Sequence, residues 1–187
     1  MELKTAIYGR RAVRSFSAAP VKTETLVRLI DAAIQAPSAV NAQPWHFTVI
    51  RNAALLDRIS AASKAHMLQS MEGSPAAPHG FREYLSNPDF QIFYHASVLV
   101  IISAKGAGWQ AEDASLAAEN FMLAAFGEGL GTCWIGFAQN WLRTPAGKAV
   151  LDLPEGYAPV APIIVGRPRA QPQAVPRKPA DIRWMGV

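Results

Sequence analysis

The residues of this chain best suited to chemistry stand in two groups near the N-terminus: Arg10, Arg11 and Arg14, then Pro37, Ser38, Ala39, Asn41, Gln43 and Pro44. A guanidinium is planar, permanently charged and able to grip an oxyanion through two N–H groups at once, so a cluster of them suits one phosphate. Asn41 and Gln43 each carry an amide with donor and acceptor, the complement of the imide-like edge of a planar heterocycle. Ser38 adds a hydroxyl, and Ala39 and Ala42 are small enough to let a flat ring approach the backbone. Pro37 and Pro44 stiffen the segment and lower the cost of ordering it on binding. Each group also has a plainer reading: solvated surface arginines, and a turn whose amides cap their own backbone beside a core Trp45. Side by side they point to half of a site for a planar, phosphorylated cofactor.

The elements that must position these groups follow from periodicity. Residues 3–10 suit a short helix. Residues 23–36 predict a longer one, with Thr23 as N-cap, an apolar stripe of Leu26, Leu29, Ile30, Ala33 and Ile34, and Pro37 as its stop. Aromatic and β-branched residues predict a strand over 47–51. Residues 53–71 return to helix, with Leu55, Leu56, Ile59 and Ala62 on one side. Breakers between 73 and 88 predict a mobile loop of the kind that forms a lid or substrate wall. Residues 97–104 read as a continuous apolar strand suited to the middle of a sheet. The helix predicted over 111–127 does not gather Leu116, Phe121, Met122, Leu123 and Phe126 on one stripe. It needs burial on more than one face, and a subunit interface is the natural second partner. The run GLGTCWIGF over 129–137 predicts a glycine turn into a short strand, 141–151 a helix, and 160–165 a last strand. Prolines at 168, 172, 176 and 179 then predict an arm extended over a surface.

Composition narrows the class. The chain has 187 residues, 50% hydrophobic and 17% charged, the balance of one globular domain and not of a disordered chain. No apolar run reaches membrane-spanning length and the N-terminus lacks the pattern of a signal peptide, so a cytoplasmic protein without membrane contacts is expected. The net charge of +4 is concentrated in residues 167–187, where Arg167, Arg169, Arg177, Lys178 and Arg183 face Asp181 alone. Prolines separate these cations and no nucleic-acid module accompanies them, which argues for one small phosphate and against nucleic acid. The lone Cys133 excludes an internal disulfide and a cysteine-built zinc site, and reads as a small buried hydrophobe. His46, His66, His79 and His95 lack metal-ligand spacing, so no metal is expected. Glu112 and Asp113 open a helix, where acids favour the macrodipole, and read as structural.

In order and spacing the motifs resemble the FMN-dependent nitroreductase family: RRAVR, a helix, APSAVNAQPW and a strand, then GLGTCWIG, PIIVGRP and PRKPADIRW. The likeness touches both ends and the middle of the chain. It implies an α+β fold, an α/β/α sandwich around a mostly antiparallel sheet, with residues 1–187 as one FMN-binding domain. It also implies a helix-rich homodimer interface and an extended, swapped arm over 167–187. Carried over residue by residue, Arg10, Arg11, Ala12 and Arg14 match phosphate and ribityl contacts; Ala12 stands where the family commonly has serine, so that hydroxyl is missing. Pro37, Ser38, Ala39, Asn41 and Gln43 match positions that approach the flavin from the partner subunit. Trp134, Ile135 and Gly136 match the strand end beside the isoalloxazine, with a backbone N–H near Gly136 aimed at the reactive ring nitrogen. Arg177 and Lys178 match a basic pair near the phosphate, to within one residue of register, and Lys64 is a further candidate.

The activity so implied is hydride transfer from NADH or NADPH, through bound FMN, to a small organic acceptor such as a nitroaromatic or quinone, by a ping-pong mechanism. The cofactor carries the electron chemistry and the protein supplies orientation and electrostatics, so no catalytic side chain is expected. Dehalogenation, flavin fragmentation, enoate reduction and heterocycle oxidation occur among the family's relatives and are not separated by these motifs, because acceptor contacts are expected from residues 73–91. A flavin carrier without turnover is a further alternative, which would resist reduction by nicotinamide.

Overall fold

The most apolar runs form the centre of the molecule. β2 (Val98–Lys105) is buried along all but its last residue, and β4 (Tyr157–Gly166) is buried from Pro159 onward. These two strands pair with each other; β1 (Trp45–Ile50) adds to the outer side of β2 and β3 (Gly131–Trp134) to the outer side of β4, every pair antiparallel. The computed structural model describes residues 1–72, 80–106, 108–170 and 172–186.

Because strand side chains alternate, the sheet carries two separate cores. Val98, Val100, Ile102, Ile163 and Val165 share one core with Leu26 and Leu29 of α2 (Thr23–Ala33) and with Ala117, Phe121 and Met122 of α5 (Gln110–Gly127). Leu99, Ile101 and Ile164 share the other with Leu56 and Ile59 of α3 (Ala53–Ser70) and with Ala138 and Leu142 of α6 (Gly136–Leu142). The result is the expected α+β sandwich. α1 (Leu3–Gly9) lies against α5, so closely that a side-chain carbon at Gly9 would collide with the Phe126 ring.

Several expectations needed correction. Thr23 is the first helical residue, not the cap; Lys22 takes the N-cap without a side-chain bond, and the Thr23 hydroxyl accepts from Arg51 instead. α2 ends at Ala33, before the backbone must leave helical geometry ahead of Pro37. The single helix expected over 141–151 is two, α6 and α7 (Pro145–Val150). Pro145 lacks the N–H an unbroken helix would need, and Thr144 starts a new one by accepting from Gly147 N at 3.1 Å. Residues 73–79 of the expected loop, with His79, lie outside the described residues; its later part contains a short helix, α4 (Phe81–Ser86).

β4 is longer than the apolar run alone suggested, although it contains Pro159 and Pro162. Both precede Ile163, which pairs with the last residue of β3, so they lie where β4 has a strand on one side only. The register also slips there, between Ile102 and Ser103.

The outer edge of β3 is covered by the arginine segment. Val13 N donates to Thr132 O of β3 at 2.9 Å, and the segment continues against the chain leaving β4, with Ser17 N donating to Arg167 O at 2.8 Å and Arg169 N to Ser15 O at 3.1 Å. The fit is close enough that Gly131 has no room for a side chain beneath Val13. Residues 172–186 contain no helix or strand, and all but Pro172 are exposed. Among the described residues no helix is long and apolar enough to cross a membrane.

Candidate functional site

The sequence run 129–137 builds one wall of a site. Gly129 turns the chain at a φ of 72°, β3 follows, and the N–H of Ile135 is spent on Pro162 O at 2.8 Å. α6 begins at Gly136, whose N–H has no acceptor among the described residues, as expected of a first-turn amide. A cavity of about 410 Å³ opens over this point, lined by Arg14, Met67, Phe81, Tyr94 and residues 133–137. Its walls are mainly apolar. The Arg14 guanidinium stands 5.9 Å from the centre of the Tyr94 ring and supplies a cation at the rim. Burial, reinforced by the neighbouring Tyr84 side chain, pushes the Tyr94 phenol up to about 12. Burial likewise raises the Cys133 thiol, partly opposed by Arg14 and Arg10. Cys133 is 3% exposed, which agrees with its reading as a hydrophobe and argues against a thiolate nucleophile.

A second cavity, of about 190 Å³, is lined by Arg10, Arg11, Val13, Phe126 and Thr132 among others. Thr132 and Cys133 point to opposite sides of β3, so the two cavities flank the same sheet edge. Arg10 Nε lies 3.3 Å from Glu119 Oε1. Arg11 donates to Tyr8 O at 2.8 Å and Arg10 O at 2.7 Å, satisfying carbonyls at the end of α1. Arg11 Nε is buried without a hydrogen-bond partner, which favours an added acceptor there, whereas Arg10 Nε faces Glu119 as an ion pair outside hydrogen-bonding geometry. The three arginines therefore divide, Arg14 on one cavity and Arg10 and Arg11 on the other. Ala12 lies between them, exposed and bridged to Thr132.

Residues 37–43 are elsewhere. They lead into β1, at the opposite edge of the sheet from β3. Three strand spacings, about 14 Å, separate these edges. Ala39–Asn41 forms a 3₁₀ turn with left-handed φ values at Val40 (48°) and Asn41 (54°), followed by Gln43 (47°). Gln43 N donates to Ser38 Oγ at 2.9 Å, and Gln43 Nε2 to Asn41 Oδ1 at 3.1 Å. The turn thus spends part of its amide capacity on itself. It leaves an outward donor on Asn41 Nδ2 and an acceptor on Gln43 Oε1, the pair an imide edge requires. Pro37, Asn41 and Gln43 are exposed, and Ser38 and Ala39 partly so.

Two other predicted contacts stand apart. Arg177 and Lys178 lie in the exposed arm and line neither cavity. Lys64 Nζ is committed to the carbonyls of Asn87 at 2.6 Å and Phe90 at 2.8 Å. Tyr94 and Met67 line the larger cavity without having been singled out, since neither belongs to a motif. Among the described residues no cluster of His, Cys, Asp and Glu could hold a metal ion.

A sandwich with a cation, an apolar wall and a free strand-end amide defines a candidate site for a flat, anionic ligand. The Nitroreductase family profile matches residues 7–167, and the chain belongs to that family. It is 29% identical over 177 residues to a Methanothermobacter thermautotrophicus protein provisionally named NADH dehydrogenase/NAD(P)H nitroreductase, covering 92% of this chain and 80% of that one. It is 30% identical over 174 residues to the 5,6-dimethylbenzimidazole synthase of Rhodospirillum rubrum, covering 87% and 80%. The crystal structure of a Bacteroides fragilis nitroreductase with bound FMN superposes with a TM-score of 0.80 at 25% identity, over 100% of this chain and 98% of that chain.

Proposed function

We propose that this protein is an NAD(P)H-dependent FMN oxidoreductase that works as a homodimer on a small organic acceptor. The observation that carries this reading is the cavity at the end of β3, where Arg14 meets Trp134, Ile135 and the unspent N–H of Gly136. These residues fit FMN. Met67, Phe81, Ile135 and Phe137 offer apolar walls to a flat ring, and the Gly136 N–H offers a donor to a ring nitrogen. The cation of Arg14 in this cavity, with Arg10 in the cavity flanking the same strand edge, favours the phosphate and any negative charge gained on reduction. Bound there, FMN would supply the two-electron chemistry between the nicotinamide and the acceptor. The chain's part is to orient the ring, exclude water from one side of it and hold positive charge nearby.

The second half of the site comes, in this reading, from the partner subunit. Residues 38–43 cannot meet β3 of their own chain across the sheet, yet they present an amide edge outward. The exposed arm carrying Arg177 and Lys178 reaches the partner in the same way.

Purified protein is expected to be yellow and to release FMN on unfolding. Under anaerobic conditions NADH or NADPH should bleach it, and the faster of the two identifies the preferred donor. Protein that is colourless and cannot be reconstituted with FMN would overturn the proposal. A second reading keeps FMN but changes the reaction, and the 5,6-dimethylbenzimidazole synthase relative favours it. Retained FMN that resists both nicotinamides but, once chemically reduced, is consumed on reaction with oxygen instead of returning to FMN would select this alternative.

A further inference from the structure

Asp113 belongs to no part of the site described so far, yet its surroundings are unusual. It is a carboxylate only 5% exposed, in the first half of α5, and its Oδ1 accepts the N–H of Ala39 at 2.9 Å. Ala39 opens the turn that carries Asn41 and Gln43. The turn is costly to maintain: Val40, Asn41 and Gln43 all have left-handed φ values, and Val40 is β-branched and 99% exposed, so no packing of its own holds it. Its other hydrogen bonds, Gln43 N to Ser38 Oγ, Gln43 Nε2 to Asn41 Oδ1, Asn41 N to Ser38 O and Ala42 N to Ala39 O, lie within the turn and fix its shape; the next tie to the sheet is Lys105 N to Pro44 O, beyond the turn. The bond to Asp113 joins it to a long helix packed against all four strands.

We infer that Asp113 is a positioning residue that acts on the partner subunit's flavin site, by anchoring the Ala39–Asn41 turn to α5. The inference rests on the proposed dimeric FMN site and adds to it a residue with no ligand contact. α5 then serves both sites of the dimer. Glu119, on the same helix, holds Arg10 beside its own chain's cavity, while Asp113 aims the turn at the other.

The experiment compares Asp113→Ala and Asp113→Asn with wild type as reconstituted dimers. The readouts are the FMN dissociation constant, the visible spectrum of bound flavin, circular dichroism and dimer mass. Asp113→Ala is expected to weaken FMN binding about tenfold or more and to alter the flavin spectrum, with fold and dimer retained. Asp113→Asn keeps an oxygen acceptor for Ala39 N–H and should restore both. Wild-type affinity and spectrum in Asp113→Ala would overturn the inference, as would an Asp113→Asn protein no better than Asp113→Ala. Mixed dimers test the direction of action. Pairing an Arg14→Glu chain with an Asp113→Ala chain leaves one site with both defects and the other with neither. One FMN should therefore bind per mixed dimer at wild-type affinity. No recovery over the parents would mean that Asp113 acts within its own chain, and would overturn the inference. Wild-type protein that takes up no FMN would instead overturn the flavin reading on which it rests.

Discussion

At the scale of residues, the three N-terminal arginines have unequal duties. Arg11 is occupied by the carbonyls at the end of α1, whereas Arg14 lines the larger cavity beside the Tyr94 ring and the Cys133 thiol. Arg14→Ala should therefore weaken FMN retention about tenfold, in line with losing one charge-assisted bond. Arg11→Ala should act first on stability, by about 1 kcal/mol, as loss of a helix-end contact. Equilibrium dialysis and thermal melts of the two variants test this; equal FMN loss would refute the division. Tyr94 gives a pH signature. The fold raises its phenol from 10.0 to about 12, so the neutral form is favoured in the native state. The associated stability is fully present below pH 10 and is lost as pH rises towards about 12. Urea midpoints should fall over that window in wild type and fall less in Tyr94→Phe; parallel curves would contradict the assignment. The arginine and amide motifs were legible in the sequence because their types are rare together. Their division between cavities was not, since it depends on which side of β3 each backbone position faces.

Among the elements, the contact between β3 and the arginine segment is the most exacting. A side-chain carbon at Gly131 would come within 2.6 Å of Val13, and no rotamer of a valine removes that overlap. Gly131→Ala is expected to cost about 1–3 kcal/mol by overpacking and to loosen FMN, because it pushes Arg10 and Arg14 away from the strand end. Denaturant unfolding together with FMN titration measures both effects, and a stable Gly131→Ala with unchanged affinity would show that the edge is not rigid. The central strands and α5 were readable from apolar runs. The break at Thr144 was missed because the helical pattern continues in composition while Pro145 interrupts it in hydrogen bonding. Asp113 illustrates the same limit: a helix-opening acid carries no sign of a bond to a residue 74 positions earlier.

For the whole molecule, α1, α2 and α5 each leave large apolar side chains uncovered. Leu3 is 69% exposed, Ile7 54%, Val27 59% and Leu116 47%. Gathered on one surface, such side chains would suit an interface with a second chain. Light scattering is expected to give twice the chain mass, and Leu116→Glu to give a monomer that has lost its yellow colour. A monodisperse wild-type monomer that retains FMN would rule out the two-chain site. The lack of a single stripe on α5, visible in the sequence, is accounted for only in part within one chain. Phe121 and Met122 are buried there, while Leu116 is left for another surface.

By itself the sequence determined the chemistry on offer: cations for a phosphate, amides for a ring edge, a glycine-rich strand entry, and no motif for metal or thiol catalysis. Those are properties of residue types at short spacing, where the chain's own geometry limits the outcome. Only the tertiary structure decided who meets whom. The order β1-β2-β4-β3 places the two recognised groups at opposite edges of one sheet, sends Arg14 to one cavity and Arg10 and Arg11 to another, and brings Asp113 to the turn at Ala39. Such contacts arise from burying both faces of the sheet at once, a condition on the whole chain that no local pattern records.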